Sequence, residues 1–348
     1  MTLEYQENWL NAYRMRLKRR RLLWRSLRSC KQLAVVADRT SNIAHTSVLA
    51  VTTLRNEMTR LPFFLEFYRN LGVDHFLIVD NGSDDGSDTY LAAQEDVSLW
   101  QTEQSYHGSR FGVDWMTYLQ MRYAHNHWCL TVDADELLVY SGDDHCDLKG
   151  LTATLDQQGL IAFGALMLDL YPKGPLGQQD YKSGDDPRDI LDWFDAGPFR
   201  SQRQYPLGNL WVQGGVRERM FFADAPQRSP TLNKLPLVKW NRRFAYVNSS
   251  HSILPPKINF AYNGPGGITP SGALLHTKFL PEIVSKSETE KQRKEHFNVP
   301  EDFDGYYDGI IKSPQLWSVS SVQYEDPSQL VQLGLISSED WGLRADAR

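Results

Sequence analysis

Cysteine is scarce in this chain of 348 residues: Cys30, Cys129 and Cys146 are the only three, and no two stand in a CxxC spacing. A disulfide framework and a thiolate zinc site are both excluded on that count, and a reducing compartment fits best. Long apolar runs are missing too. The most apolar internal stretch, LIAFGALMLDLY, is interrupted by Asp169 and is too short to cross a bilayer. No segment reads as a signal peptide with a clean apolar centre, so the expected location is cytoplasmic. The glycines form neither GxGxxG after the first apolar strand nor GxxxxGK[ST], which removes the dinucleotide fingerprint and the triphosphate-binding loop. Acidic residues are absent from Arg14 to Lys31, where nine of the 37 Lys and Arg residues are concentrated, leaving 28 basic against 43 acidic residues elsewhere.

What is present has a repeating order. Val48–Leu54 reads as a buried strand; LPFFLEFYRNLG has apolar residues at helical spacing and ends at Gly72 as a C-cap. HFLIVD is a second strand, SDTYLAAQ a short helix, VSLW a third strand, residues 111–127 a helix and WCLTVD a fourth strand. Strands alternating with helices at this spacing predict right-handed crossovers and an α/β fold with a mostly parallel central sheet, helices on both faces. In such a sheet the loops leaving the strand C-termini gather along one edge, where ligands bind.

That edge would collect Arg55, Asn56 and Glu57 from the first loop, Asp80 and Asn81 from the second, and Asp133 and Asp135 from the fourth. Carboxylates crowded at the mouth of an apolar strand repel one another as they lose water, so a cation is expected among them. Asp133 and Asp135, a D-x-D pair, offer oxygen ligands for Mg²⁺ or Mn²⁺ with positions left open for diphosphate oxygens. An Asp-rich turn capping its own backbone is the plainer reading, and DNGSDDG is open to the same one.

VTTLRNE, HFLIVDNGSDDGS and LTVDADELLVY together resemble the family-2-like glycosyltransferases with a GT-A fold, particularly the bacterial branch in which RNE and DADE recur. The resemblance is specific over Val48–Tyr140 and looser to Leu280. It implies a catalytic domain over 47–280 with a nucleotide half (47–140) and an acceptor half (141–280); it says little of the two ends, which the residues themselves mark as a basic N-terminal helical extension and linker over 1–46 and a C-terminal helical extension over 281–348. It implies nucleotide contacts from Arg55, Glu57, Asp80 and Asp133, and a Mn²⁺ or Mg²⁺ ion held by Asp133, Asp135 and His276 of LLHTKF. The activity implied is metal-dependent transfer of a sugar from a nucleotide-diphosphate donor to a hydroxyl of a glycan or lipid-linked acceptor, in surface polysaccharide synthesis.

Inverting members of that family use a carboxylate base, yet the common ED dipeptide is missing from its expected place here. Glu218 in QGGVRERMF is the preferred candidate because a glycine pair precedes it; Asp195 and Asp224 are others. Arg217 and Lys278 are candidates for phosphate or acceptor contacts, and Trp193, Phe194 and Trp211 for stacking against sugar. SKSETEKQRKEHF reads as a charged, solvent-facing helix. Leu23, Leu27 and Cys30 share one face of the basic tail with Trp24 beside them, which suits a peripheral contact of residues 14–31 with the inner face of a membrane, or packing on the domain or on a second copy of the chain. An acidic body argues against nucleic acid. Two other functions stay open: a sugar nucleotidyltransferase, and a carbohydrate-binding or scaffolding protein on a degenerate transferase core.

Overall fold

The computed structural model describes residues 8–293 and 304–338; residues 1–7 of the expected N-terminal extension, and 294–303 and 339–348 of the C-terminal one, lie outside them. The basic segment is a helix, α1 (Trp9–Ser29). It is followed by β1 (Ala34–Ala37), β2 (Leu49–Leu54), α2 (Leu61–Asn70), β3 (His75–Asp80), α3 (Ser87–Ala92), β4 (Val97–Gln101), α4 (Val113–Tyr123), β5 (Trp128–Thr131), β6 (Glu136–Val139), α5 (Leu148–Gln157) and β7 (Ala162–Asp169). Then come β8 (Trp193–Phe194), β9 (Phe199–Gln204), β10 (Asn209–Gly214), α6 (Gly215–Phe221), β11 (Asn233–Lys239), β12 (Ala245–Tyr246), β13 (Ile253–Leu254), β14 (Ser271–His276), α7 (Ile283–Arg293), α8 (Asp304–Ile311), β15 (Val322–Gln323) and α9 (Pro327–Gln332).

Nine strands form one sheet in the order β1-β4-β3-β2-β5-β11-β7-β14-β6. The run β4-β3-β2-β5 is parallel throughout, as the strand–helix alternation predicts. Beyond β5 the rule fails. β11 is antiparallel to both β5 and β7, β14 is parallel to β7 and antiparallel to β6, and β1 is antiparallel to β4. The sheet is therefore mixed, with helices flanking it, and the expectation of a mostly parallel sheet holds for one half. The physical reason lies in the connections: the long segment from Leu170 to Leu232 carries the chain back to the middle of the sheet with only the short α6 as a helix, rather than through a single crossover helix.

Every residue of β2, β3 and β7 is buried, as strands covered on both faces must be. Helix α2 turns Leu61, Phe64, Leu65 and Tyr68 onto the sheet, each such side chain contributing roughly 1.5–3 kcal/mol. It stops at Gly72, whose φ of +101° suits a residue without Cβ. Helix α4 starts at Gly112, φ +75°, where a Cβ would lie 2.8 Å from Thr53; the helix thus sits close on the end of β2. Helix α1 packs along α4 and the β12 region with Leu22, Ser26 and Ser29 buried; of the residues expected on one face, Leu23 packs beside Leu22 against Ala245 and Leu254 and Cys30 is half-buried, whereas Leu27 and Trp24 face outward.

Candidate functional site

A cavity of about 470 Å³ opens at the C-terminal edge of the parallel strands. The loop after β2 lines it with Arg55, Asn56, Glu57 and Arg60, the loop after β3 with Asn81, and the loop after β5 with Asp133 and Asp135. Its opposite wall comes from the mixed half of the sheet: Lys234 on β11, His276 at the end of β14, Lys278 beyond it and Arg217 on α6. Helix α7 covers part of it through Ile283, Lys286 and Thr289, so the segment expected to face solvent has its first turns on the cavity.

Strand register explains the floor. β7 and β14 run parallel with Asp169 opposite His276, and β14 runs antiparallel to β6 with His276 opposite Glu136. Three ionisable side chains from three strands therefore fall in one row. His276 Nδ1 lies 2.6 Å from Asp169 Oδ1, and its Nε2 lies 3.1 Å from Asp135 Oδ2. Arg217 Nε donates to the other oxygen of Asp169 at 2.7 Å. Lys234, 4% exposed, bridges Glu136 at 2.7 Å and Asp133 at 3.2 Å.

Burial and partners set these charges. Burial opposes ionisation of Asp135, yet His276, Arg60 and Lys278 hold its carboxyl well below the usual range. Asp169 is likewise penalised by burial and is pulled down to about 2 by Arg217 and His276. Burial alone would lower the pKa of His276, but Asp135 and then Asp169 raise it. Glu136 is pushed up to about 7 by burial, with Lys234 pulling the other way. Arg217 Nη2 is buried and has no hydrogen-bond partner among the described residues, as is true of Arg60 Nε. Buried N–H groups left unspent beside a cavity are suited to anionic oxygen.

Among the described residues no group of three or more His, Cys, Asp and Glu side chains is arranged to hold a metal ion. Two donors do converge. Asp135 Oδ2 and His276 Nε2 are 3.1 Å apart, and neighbouring ligands on an ion with ~2.1 Å bonds at right angles stand about 3 Å apart. Asp169 fixes the ring through Nδ1, the carboxylate–histidine arrangement that orients a metal-binding imidazole. Mg²⁺ usually takes one or two protein carboxylates and completes its shell with water and phosphate oxygens; Asp135 would be such a carboxylate, with the His276 imidazole beside it. Asp133, 46% exposed and facing Lys234, stands at the side of this pair.

The cavity brings together nine of the residues singled out from the sequence: Arg55, Asn56, Glu57, Asn81, Asp133, Asp135, Arg217, His276 and Lys278. Asp80, Glu218, Asp195, Asp224, Trp193, Phe194 and Trp211 are not in its lining. Asp80 is fully buried and accepts from the backbone N–H of Ser83 at 3.1 Å and from its hydroxyl, holding the DNGS turn. Glu218 is bound by Arg200 Nη2 at 2.8 Å and by the Ser229 hydroxyl at 2.7 Å. Asp195 is held by Arg219 Nε at 2.8 Å and by the Tyr171 hydroxyl. Trp193 packs edge-on against Trp317 at 5.9 Å with Lys173 over its ring, and Trp211 lies on β10. None of the three carboxylates considered as a base lines the cavity: Glu218 and Asp195 are each held by an arginine, and Asp224 lies outside the lining.

Four residues of the site escape the sequence reading. Asp169 was within reach of the strand-end argument, since it closes an apolar run as Asp133 does. Lys234 carries a fainter signal, one of two lysines in the otherwise mostly apolar NKLPLVK. Arg60 lies one helical turn past the RNE motif, and His251 sits in an irregular stretch with no pattern around it. His251 Nδ1 lies 2.6 Å from the Asn233 carbonyl, which fixes the proton on Nδ1 and leaves Nε2 as the basic nitrogen of a ring that lines the cavity.

No family model matches this chain, and no curated protein does. Among solved structures it is similar to the crystal structure of 4-diphosphocytidyl-2C-methyl-D-erythritol synthase, with 18% identity and a TM-score of 0.24 over 39% of this chain and 68% of that one. A likeness that partial assigns nothing to the site.

Proposed function

We propose that the cavity binds a nucleotide-diphosphate sugar together with Mn²⁺ or Mg²⁺, that the protein transfers the sugar to a hydroxyl of a glycan or lipid-linked acceptor, and that the sheet is a GT-A variant. One observation carries this reading. Asp135, from the loop between β5 and β6, and His276, from the end of β14, meet at the edge of a cavity whose wall also holds Arg217 with an unpaired buried N–H, and Lys278. Carboxylate and imidazole for a cation, next to guanidinium and ammonium for phosphate, is the donor set a diphosphate leaving group needs. The ion supplies neutralisation of the charge that develops on the departing diphosphate.

The chain's own residues do the rest. Asp169 holds His276 so that Nε2 faces Asp135. Arg217 and Lys278 meet phosphate oxygens, while Arg55 and Asn81 shape the wall where the nucleoside lies; Arg55 Nη1 donates to the Asn81 carbonyl at 3.1 Å, which ties these two loops together. Tyr106 and α7 limit water in the space between the diphosphate and the acceptor. His251 lines the cavity with its Nε2 free of the Asn233 carbonyl and would accept a hydrogen bond from an incoming hydroxyl, while Glu218 and Asp195 are engaged by arginines elsewhere.

Calorimetric titration with a panel of UDP, GDP and CMP sugars, with Mn²⁺ and then with EDTA, tests the reading. The expected result is binding that needs the metal, followed by acceptor-dependent consumption of one donor. Release of pyrophosphate from a nucleoside triphosphate and a sugar phosphate would assign the cavity to a nucleotidyltransferase instead. Glycan binding indifferent to EDTA, with no donor turnover, would leave a carbohydrate-binding protein.

A further inference from the structure

Helix α1 has two apolar faces. The inner one carries Leu22, Ser26 and Ser29 onto α4 and the β12 region. On the outer one, Trp9 is 74% exposed, Tyr13 55%, Leu17 45%, Trp24 58% and Leu27 52%. At 100° per residue these five fall within a quarter-turn of one another, opposite the buried face. Exposed single hydrophobics are ordinary, but a stripe of five, two of them tryptophan, along one helix is not.

Arg14, Arg16, Arg20 and Arg21 are exposed within or beside the stripe, Lys18 is exposed on the far side of the helix, and none of the five forms an ion pair among the described residues. Arg242 and Arg243 in the neighbouring turn are exposed too. The basic groups crowd one another: burial and then Arg16, Arg243 and Arg20 lower the pKa of Arg19. Arg28 lies over the Trp24 ring at 4.5 Å, leaving the indole at the level of the charges. No helix among the described residues is long and apolar enough to cross a membrane.

We propose that the outward face of α1 docks the protein on an anionic lipid bilayer. The tryptophans, tyrosine and leucines enter the headgroup boundary while the arginines beside them meet lipid phosphates. The opposite sign of the two parts of the chain favours a bilayer over a second copy, whose body is acidic but whose own α1 would bring the same positive charge to a symmetric contact. Docking would set the orientation of the cavity. Arg25 binds the Gly108 carbonyl and Asp114, both at 2.5 Å, and so ties α1 to the loop that supplies Tyr106 to the cavity wall. The docking claim does not depend on the transferase reading.

Flotation of the full chain with phosphatidylcholine vesicles, and with vesicles containing phosphatidylglycerol as well, decides it. The bound fraction should rise at least about tenfold with the anionic vesicles at low salt and fall at high salt. Trp24→Ser with Leu27→Ser, and separately Arg16→Gln with Arg20→Gln and Arg21→Gln, should each abolish flotation without moving the melting temperature, because none of these side chains is buried. Val319→Ser, at a position 95% exposed elsewhere, should float like the parent. Equal binding to neutral vesicles, or none to anionic ones, overturns the proposal. So does light scattering that shows a dimer broken by the serine pair in a protein that does not float.

Discussion

The parallel half of the sheet supplies the cavity with side chains on loops, and the mixed half with side chains fixed on buried strands and a helix. Strands β2 to β5 end in loops whose acids are partly wet: Asp133 is 46% exposed and Asp135 23%. The mixed half answers with Lys234 at 4%, Arg217 at 7% and His276 at 8%. Loops that leave the C-termini of parallel strands are free to present ligands, whereas side chains inside β7, β11 and β14 are fixed by register before any ligand arrives. The difference teaches how the charge is managed. Asp133 and Asp135 are tolerated because Lys234 and His276 stand against them from the mixed half, with Arg60 beside Asp135 from the parallel half.

Removing the most buried of those cations should have the largest effect. Lys234→Met leaves Glu136 and Asp133 facing an apolar side chain and is expected to cost about 3–5 kcal/mol of stability by urea denaturation. The cost should depend on pH. Glu136 is raised to about 7 from 4.5 by burial, so its contribution is fully present below about 4.5 and lost as pH rises through about 7. Without Lys234 that loss extends further, and the gap between variant and parent should be wider at pH 8 than at pH 5. A gap that is small and flat would mean that the mixed half does not carry the acids.

His251 sharpens the same contrast from the titration side. Burial first, then Lys234, lowers its pKa to about 3 from 6.5, so the neutral ring stabilises the fold above pH 6.5 and this contribution is lost as pH falls towards 3. By pH 4.5 the parent should have lost roughly 2–3 kcal/mol that a His251→Asn protein never had. Melting curves of the two proteins across that range should converge. Parallel curves would show the ring to be in contact with water throughout.

Asp169→Asn tests positioning rather than charge alone. The variant keeps the size of the side chain but weakens its hold on His276 Nδ1, and Mn²⁺-dependent nucleotide binding should drop about 10–100-fold by calorimetry. Glu218→Gln, outside the cavity, should leave that affinity unchanged. Equal losses in the two variants would show that the mixed half acts through general stability and not through the histidine.

The comparison also separates what the sequence made legible. Apolar runs of six residues with helices between them mark β2, β3 and their neighbours, because each is buried on both faces and each crossover is local. The strand-end argument then finds Arg55, Glu57, Asp133 and Asp135. It fails beyond β5 for a physical reason: β11 reaches the middle of the sheet after a connection of more than sixty residues, and nothing in a local pattern states which strand it will join. Asp169, Lys234 and His276 become one site only through that pairing. Glu218 and Asp195 show the converse error. Each looked available in the sequence because Arg200 and Arg219, which hold them, reach them only through the folding of the long segment.

The smallest effect belongs to an ion pair in the parallel half. Arg69 at the end of α2 holds Asp96 before β4 with two bonds, Nε to Oδ2 at 2.7 Å and Nη2 to Oδ1 at 2.6 Å, a better geometry than Lys234 achieves with Asp133. Geometry alone would rank it high. Its side chains, however, are 36% and 27% exposed, so water screens the attraction in the folded state and solvates either partner when the other is removed. Arg69→Met should therefore cost at most about 1 kcal/mol, and the difference from the parent should fade as salt is added, since exposed charges are screened and buried ones are not. Lys234→Met measured in the same salt series should keep its cost. If the two variants lose stability equally and respond alike to salt, burial is not what distinguishes the halves, and the placing of cations in the mixed sheet would have to be explained by the ligand instead.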